Sequence, residues 1–242
     1  MTRLIVNADD FGRSRGINRG VIECHDHGIV TSASLMTVWP ASGEAAEAAA
    51  ERPRLSVGLH FDLGEWLCRN GDWECTYLRV PLDDEEAIRN ELDRQLRAFR
   101  RLVGRDPTHL DSHQHVHREE PVRSVLLDLG RELGMPVRHE SAHVTYRGDF
   151  FGQLRTGEST AESVAVEALV DILATLEDDV TELGCHPGYA YDLATGYGQE
   201  RALEVETLCD VRVRDAVIQL GIQLGSFHGM KQVPGANARH LV

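Results

Sequence analysis

Four groups of polar residues in this sequence follow short apolar segments. They lie at residues 7–10, at His60, at residues 109–117 and at residues 185–187. Each group falls at or just past the carboxyl end of a predicted strand. In a β/α barrel the carboxyl ends of the strands meet at one rim, where barrel enzymes have their active sites. We therefore expect the four groups to form one site.

The pair Asp9 and Asp10 stands directly after an apolar segment. Neighbouring carboxylates repel each other and lose hydration near a core, and a bound cation relieves both costs. Aspartate together with neutral histidine suits Zn²⁺ and also Mn²⁺, Co²⁺ or Ni²⁺, while Mg²⁺ prefers oxygen ligands and stays a candidate. Three protein ligands would leave a coordination position for water. The alternative is that these carboxylates, Asp10 in particular, cap the helix that follows.

Histidines supply the other candidate ligands. His60 ends a strand two residues after Gly58, which lets another part of the chain approach closely. His113, His115 and His117 alternate, so they would point the same way in an extended chain, whereas a bend at the start of this run would separate them. We expect only one or two of these three to reach the metal, and His115 and His117 are candidates for contacting the ligand residues instead.

The remaining polar residues of these groups have supporting roles or alternatives. Asp111 would orient a ligand through the second nitrogen of its ring, or would hydrogen-bond the backbone. His109 lies within its strand and is expected to be structural. His186 is a candidate proton donor because histidine titrates near neutral pH, with a buried, hydrogen-bonded histidine as the alternative. Cys185 should point to the opposite side of the strand and pack as an inert thiol.

Short apolar segments alternate with helical patterns, which predicts parallel strands with crossover helices. Seven strands are predicted, at residues 3–8, 30–38, 55–61, 107–111, 136–139, 180–185 and 222–227. Helices between them include residues 42–52, 85–103, 160–176 and 199–220. This number of repeats favours closure into one α/β barrel, and we expect residues 1–242 to form a single domain.

Local signals mark some helix ends. Asp83 and Glu86 resemble a capping box before the helix at residues 85–103, and Pro121 suits the first turn of another helix. Gly28 ends the helix that contains Ile17, and we expect it to adopt the left-handed conformation.

Composition excludes several classes of function. A net charge of −14 would repel a phosphate backbone, so nucleic acid is not an expected partner.

The first ten residues contain neither a signal peptide nor a membrane span, which favours a cytoplasmic protein. The five cysteines match no zinc or disulfide pattern and should be reduced, although Cys68 and Cys75 could face each other across a loop. The sequence has no phosphate loop, dinucleotide fingerprint or serine-hydrolase elbow.

The motifs together resemble those of a known family. They are residues 5–12 (IVNADDFG), residues 28–32 (GIVTS), residues 58–61 (GLHF), residues 107–117 (PTHLDSHQHVH) and residues 185–187 (CHP). This ordered set resembles the YdjC-like carbohydrate deacetylases, the family that includes chitooligosaccharide deacetylase and the hopanoid-associated deacetylase. The likeness extends from the first strand to residues 224–227.

The resemblance implies a distorted, TIM-like (β/α) barrel that binds one divalent metal ion and hydrolyses an acetamido group of an N-acetylated amino sugar. By position, Asp10, His60 and His113 resemble the metal ligands of the family. Asp9 resembles its general base and His186 its acid. The family also implies a homodimer.

The resemblance is weakest where the sugar would bind. Gln114 stands where the chitooligosaccharide branch often has another histidine, and the long stretches at residues 64–82 and 141–159 look different. Both stretches follow strands, so they are either substrate walls or surface insertions without a role. They contain Trp66, Trp73, Tyr77 and Tyr146, whose rings either stack on a sugar or pack within the loops.

In the resulting hypothesis the metal polarises the acetamide carbonyl and activates water, Asp9 accepts a proton and His186 protonates the departing amine. Two alternatives stay open at this point. The same metal site could hydrolyse a phosphoester or a non-sugar amide, or the protein could bind a sugar without catalysis.

Overall fold

The computed structural model of the chain describes residues 1–69, 71–154, 156–177, 179–193 and 195–230. Seven strands form one parallel sheet: β1 (Arg3–Phe11), β2 (Ser32–Leu35), β3 (Ser56–Phe61), β6 (Leu110–Ser112), β7 (Thr145–Arg147), β8 (Val180–Cys185) and β9 (Gln223–Leu224). Their order is β6-β3-β2-β1-β8-β7, with β9 paired to the start of β1. Strands β4 (Gly64–Arg69) and β5 (Asp72–Leu78) form a separate antiparallel hairpin.

This sheet confirms the predicted distorted α/β barrel with about seven parallel strands, but one member differs. The strand expected at residues 136–139 is reduced to a single bridge between Val137 and Leu110. The seventh place is taken by β7, which lies inside the stretch predicted as a loop at residues 141–159. Because β6 and β7 are the ends of the strand order, the barrel is incomplete between them.

Helices cover the sheet. They are α1 (Arg15–His27), α2 (Ser42–Ala50), α3 (Glu85–Val103), α4 (Val122–Leu133), α5 (Val166–Ala174), α6 (Gln199–Cys209) and α7 (Val211–Gln219), with 3₁₀ turns at His113–Arg118 and Ala161–Val164. The helix predicted at residues 199–220 is broken at Asp210, which has extended backbone and caps α7 by accepting a hydrogen bond from Arg212 N. The helix predicted at residues 160–176 begins as a 3₁₀ turn, because Ala165 is also extended (φ −72°, ψ 162°).

Two predicted helix ends are wrong in detail. The cap of α3 is Asp84 rather than Asp83, and its Oδ1 accepts a 3.0 Å hydrogen bond from Ala87 N. Gly28 ends α1 without the left-handed conformation, since its φ is −116°. Glycine is required there for space, because a Cβ at position 28 would lie 2.4 Å from Leu208 O.

The core consists of apolar side chains from the sheet and from the inner faces of the helices. Leu4, Ile5 and Val6 of β1 are completely buried. All five cysteines are free thiols. In the hairpin Cys68 lies opposite Trp73 and Cys75 opposite Trp66, so the alternative of a Cys68–Cys75 disulfide is wrong. Among the described residues, no helix has both the length and the apolar composition needed to cross a membrane.

Candidate functional site

The four polar groups meet at one cavity. Asp9 and Asp10 end β1, His60 lies near the end of β3, and His113 and His186 directly follow β6 and β8. All five residues line a cavity of about 930 Å³ at the carboxyl ends of the parallel strands. The sequence-based expectation of one shared site therefore agrees with the geometry.

Asp10, His60 and His113 converge on one point. Asp10 Oδ1 lies 3.0 Å from Nδ1 of His113 and 3.6 Å from Nε2 of His60. All three side chains are buried, and their ligand atoms lie within 4.8 Å of one another. Asp10 does not cap the following helix, because Ser14 occupies that position and its Oγ accepts a 3.2 Å hydrogen bond from Ile17 N.

The chemistry of these three residues fits a divalent metal ion. Asp10 Oδ1 and His113 Nε2 are buried, and neither atom makes a hydrogen bond of good geometry, although Asp10 Oδ1 lies 3.0 Å from His113 Nδ1. A buried polar atom without a partner is costly, and a cation would relieve that cost for the carboxylate. One carboxylate and two imidazoles are a donor set that suits Zn²⁺ and similar ions and leaves a position for water.

Asp111 contacts His60 through the second nitrogen of its ring. Its Oδ1 lies 2.8 Å from Nδ1 of His60, which directs Nε2 of that ring toward Asp10. Asp111 also accepts hydrogen bonds from Ser34 Oγ (2.6 Å) and forms an ion pair with Arg138 (2.8 Å). Burial lowers the pKa of His60, but the charges of Asp111 and Asp9 outweigh burial and raise it to about 10. In the metal-free chain, these carboxylates therefore favour a positive charge on His60.

Arg138 is a candidate site residue that sequence reasoning missed. Its guanidinium is completely buried and donates to both oxygens of Asp9, at 2.7 and 2.8 Å. It also contacts Asp111 and Glu182, each within 2.8 Å. Burial opposes ionisation of Asp9, yet Arg138 and His60 hold the pKa of Asp9 below its usual value. A lone arginine in the predicted strand at residues 136–139 was the available signal, because a buried arginine requires carboxylate partners.

Arg201 of α6 was also missed, and an arginine on a helix gives no comparable signal. One of its Nη atoms forms a very short ion pair with Asp10 Oδ2, and the other donates to the carbonyl oxygen of His186 at 3.1 Å. Burial would raise the pKa of Asp10, but Arg201 and His113 hold it well below the usual range. Each aspartate of the pair thus has its own buried arginine, so a metal ion is not needed to offset their repulsion.

His186 lies beside Asp9, with Nε2 3.9 Å from Asp9 Oδ2. Burial lowers its pKa to about 4, so the ring is neutral at neutral pH. Its backbone N–H donates to Glu204, whose other oxygen accepts a 2.6 Å hydrogen bond from Tyr197 Oη. Cys185 is buried and its Sγ faces Asn7 O at 3.4 Å, away from the cavity lining, as expected of a packing thiol.

The other histidines separate as a bend would require. His117 is buried between Ser112 Oγ (2.6 Å) and Arg138 O (3.2 Å), whereas His115 lines the cavity and contacts His139 and Tyr146. The hydrogen bonds of His115 and His117 are made with residues other than Asp10, His60 and His113. His109 stacks on Phe227 at 4.0 Å in the core, as expected of a structural residue.

The aromatic residues of the two long stretches fall into two groups, those that line the cavity and one that packs within the hairpin. Trp66, Trp73 and Tyr146 line the cavity, and Trp73 is 54% exposed. Tyr77 instead donates a 2.8 Å hydrogen bond to buried Asp62 and anchors the hairpin. The stretch at residues 64–82 therefore forms a wall of the cavity through β4 and through Trp73 of β5.

Comparison with known proteins places these observations in a family. A family model described as YdjC-like protein matches residues 3–219. The chitooligosaccharide deacetylase of Proteus mirabilis (strain HI4320) is 32% identical over 256 residues, which cover 94% of this chain and 98% of that protein. The protein of the same name from Klebsiella pneumoniae (strain 342) is 33% identical, with coverage of 93% and 97%.

Solved structures agree. A provisionally named cellobiose-phosphate cleavage protein from Enterococcus faecalis V583 superposes with a TM-score of 0.76 and 25% identity, covering 95% of this chain and 99% of that one. A family 4 carbohydrate esterase from Streptomyces lividans, in complex with acetate, gives a TM-score of 0.58 at 13% identity, with coverage of 96% and 97%. The second likeness concerns the fold alone.

Proposed function

Because the chain belongs to the YdjC-like protein family, we propose that it is a metal-dependent carbohydrate deacetylase that releases acetate from an N-acetylated amino sugar. Relatives that match over nearly their whole length are named chitooligosaccharide deacetylases. The observation that carries the proposal is the convergence of Asp10, His60 and His113 on one buried point, with Asp9 and His186 beside it in the same cavity.

In this proposal Asp10, His60 and His113 hold the ion. When bound, a divalent ion supplies a Lewis acid for the acetamide carbonyl and for a water molecule. Asp10 offers Oδ1, because Oδ2 is engaged by Arg201. His60 offers Nε2, because Nδ1 faces Asp111. Zn²⁺ and Mg²⁺ are both candidates, with Mn²⁺, Co²⁺ and Ni²⁺ as further ones.

Asp9 acts as the general base and Arg138 fixes its position. The bidentate ion pair with Arg138 restrains both carboxylate oxygens of Asp9. The lowered pKa of Asp9 keeps this carboxylate ionised before each turnover. His186 starts as a neutral ring, so it must gain a proton before it can act as an acid. Asp9 Oδ2 lies 3.9 Å from Nε2 of His186, and a small movement would pass the accepted proton to that ring. The imidazolium then protonates the departing amine.

The test is acetate release from a panel of N-acetylated mono-, di- and glycolipid-linked amino sugars. We expect activity that a chelator abolishes and added metal restores. Asp9→Asn should retain metal and lose about 10²–10⁴-fold in rate, the typical effect of removing a general base. His143→Gln is a matched control, because His143 is exposed and outside the cavity lining.

Three results would contradict the proposal. Near-normal turnover by Asp9→Asn would remove Asp9 as the base. Phosphate release from phosphoesters without acetate release would support the alternative hydrolase. Tight sugar binding with no product would support a non-catalytic sugar-binding protein.

We also propose that the protein forms a homodimer, that it is located in the cytoplasm and that nucleic acid is not among its partners. Light scattering on the purified full chain would measure the oligomeric state, and a monomer at micromolar concentration would overturn that part alone.

A further inference from the structure

Unusual backbone conformations in the described residues are concentrated at the cavity. Four residues other than glycine have positive φ: Asp10 (65°), Gln114 (50°), His115 (54°) and His139 (66°). All four line the cavity. This conformation is unfavourable for residues with a side chain and persists where function requires it. Two of the four already have a structural or chemical reason.

Asp10 is a candidate metal ligand. Gln114 exchanges two 2.8 Å hydrogen bonds with the backbone N–H and carbonyl of Trp66, which joins the hairpin to the turn that contains His113. His115 and His139 have no such explanation, and sequence reasoning gave no role to His139.

His115, His139 and Tyr146 form a connected group on the cavity wall. Nδ1 of His115 lies 3.4 Å from Nε2 of His139, and Nε2 of His115 lies 3.4 Å from Tyr146 Oη. The rings of His139 and Tyr146 meet edge to face at 4.6 Å. The group is closely packed from behind, because a Cβ at Gly184 would lie 2.4 Å from Tyr146 Oη. The guanidinium of Arg138 covers the Tyr146 ring at 4.8 Å.

This group suits an uncharged, hydroxyl-rich ligand. Neutral imidazole and phenol groups each carry a donor and an acceptor, as a sugar hydroxyl does. Burial and neighbouring cations lower the pKa of His139 to about 4, so it carries no charge at neutral pH. Apolar side chains, Trp66, Phe151 and Leu154, line other parts of the cavity and suit the faces of a sugar ring.

We propose that His115, His139 and Tyr146 form a binding site for the hydroxyl groups of the sugar substrate, separate from the metal-binding residues, and that this site determines which sugar is accepted. The inference rests on the proposed carbohydrate deacetylase function. It explains why two positions tolerate an unfavourable backbone conformation: the rings must face the cavity.

The test uses the positive φ of His139. His139→Gly removes the ring and allows the backbone to keep its conformation without strain. Loss of one hydrogen bond to an uncharged ligand should raise KM about threefold to tenfold, with kcat changed less than threefold. Metal content should equal that of the wild type, and the Tm should be unchanged or higher. His115→Asn is the second variant, because asparagine also accepts positive φ. His143→Gly is the matched control and should leave KM unchanged.

An unchanged KM in both variants would overturn the inference, and so would a raised KM accompanied by a much lower Tm, which would indicate a structural role. Calorimetric titration with a β-1,4-linked disaccharide of N-acetylglucosamine separates this inference from the proposed function. Weaker binding by His139→Gly in a protein that releases no acetate would support the sugar site and refute the activity. Acetate release, together with equal affinity of wild type and variant for the disaccharide, would support the activity and refute the sugar site.

Discussion

One buried arginine forms ion pairs with three carboxylates. The excess of negative charge predicts how the stability of the protein depends on pH. Arg138 contacts Asp9, Asp111 and Glu182, all of which are at most 3% exposed. In the metal-free chain Arg138 and the charged ring of His60 supply two positive charges for these three carboxylates, which leaves one negative charge uncompensated in a poorly hydrated place. Burial raises the pKa of Glu182 to about 7 despite the attraction of Arg138, whereas the pKa values of Asp9 and Asp111 are lowered.

Glu182→Gln should therefore stabilise the protein above neutral pH. The unfolded chain loses the Glu182 proton near pH 4.5, but the folded protein retains it to about pH 7. Between these values the folded state binds more protons, so its stability falls as pH rises. A shift of this size corresponds to roughly 3 kcal/mol. Glutamine resembles the protonated side chain and removes that loss, so the variant should match the wild type near pH 4.5 and exceed it by up to roughly 3 kcal/mol at pH 8.

Urea unfolding of both proteins at intervals from pH 4.5 to pH 8, with a chelator present throughout, measures this difference. For a chain of this size roughly 3 kcal/mol corresponds to a Tm increase of about 6–12 °C. Glu162→Gln is the control, because Glu162 is exposed and a surface substitution should change stability by less than about 0.5 kcal/mol. A stability difference that is constant across the pH range, or a less stable variant at pH 8, would refute this account of the Arg138 network.

Three further predictions concern the residues that hold the site together. Asp111→Asn should weaken metal affinity about 10–100-fold by releasing His60, measured by competition with a chelating dye, and equal affinity would contradict the orienting role. Gly20→Ala should cost about 1–3 kcal/mol in urea unfolding, because its Cβ would lie 2.5 Å from the Cα of Gly188. The control Gly43→Ala, where the added Cβ meets nothing within 4 Å, should be neutral or stabilising. Gln114→Ala should accelerate hydrogen exchange at the Trp66 amide, and unchanged protection there would show that Gln114 does not hold the hairpin.

The sequence was sufficient for the strands that carry the site, because β1, β3 and β8 are six to nine residues long and each contains apolar side chains that are buried in the sheet. It was insufficient for β7, whose three residues are exposed or half-buried and show no apolar periodicity. The hairpin of β4 and β5 had a recognisable signal in the sequence. Asn70-Gly71 is a pair favoured in tight turns that join two antiparallel strands. The weak local pattern of β7 explains why it was not predicted, whereas the hairpin could have been predicted from its turn residues.

The site shows the same division between local and tertiary information. Asp9, Asp10, His60, His113 and His186 could be found because each directly follows or ends a strand, and strand ends share a rim. Arg201 could not, because its partner lies 191 positions away along the chain. Arg138 offered only its place in a predicted strand, since its partner Asp9 lies 129 positions away. Positive φ at His139 is equally a product of the folded backbone.

The two arginines change the physical reason for a metal ion at this site. Repulsion between Asp9 and Asp10 is already offset by Arg138 and Arg201, so charge alone does not demand a cation. The reason to propose an ion is instead Asp10 Oδ1, a buried carboxylate oxygen that faces ring nitrogens of His113 and His60 at 3.0 and 3.6 Å without a well-formed hydrogen bond. A guanidinium on the other oxygen of the same carboxylate reduces its attraction for a second cation. The ion should consequently bind less tightly than at a site of uncompensated carboxylates, which is the physical reason to expect that a chelator removes it and that added metal restores activity.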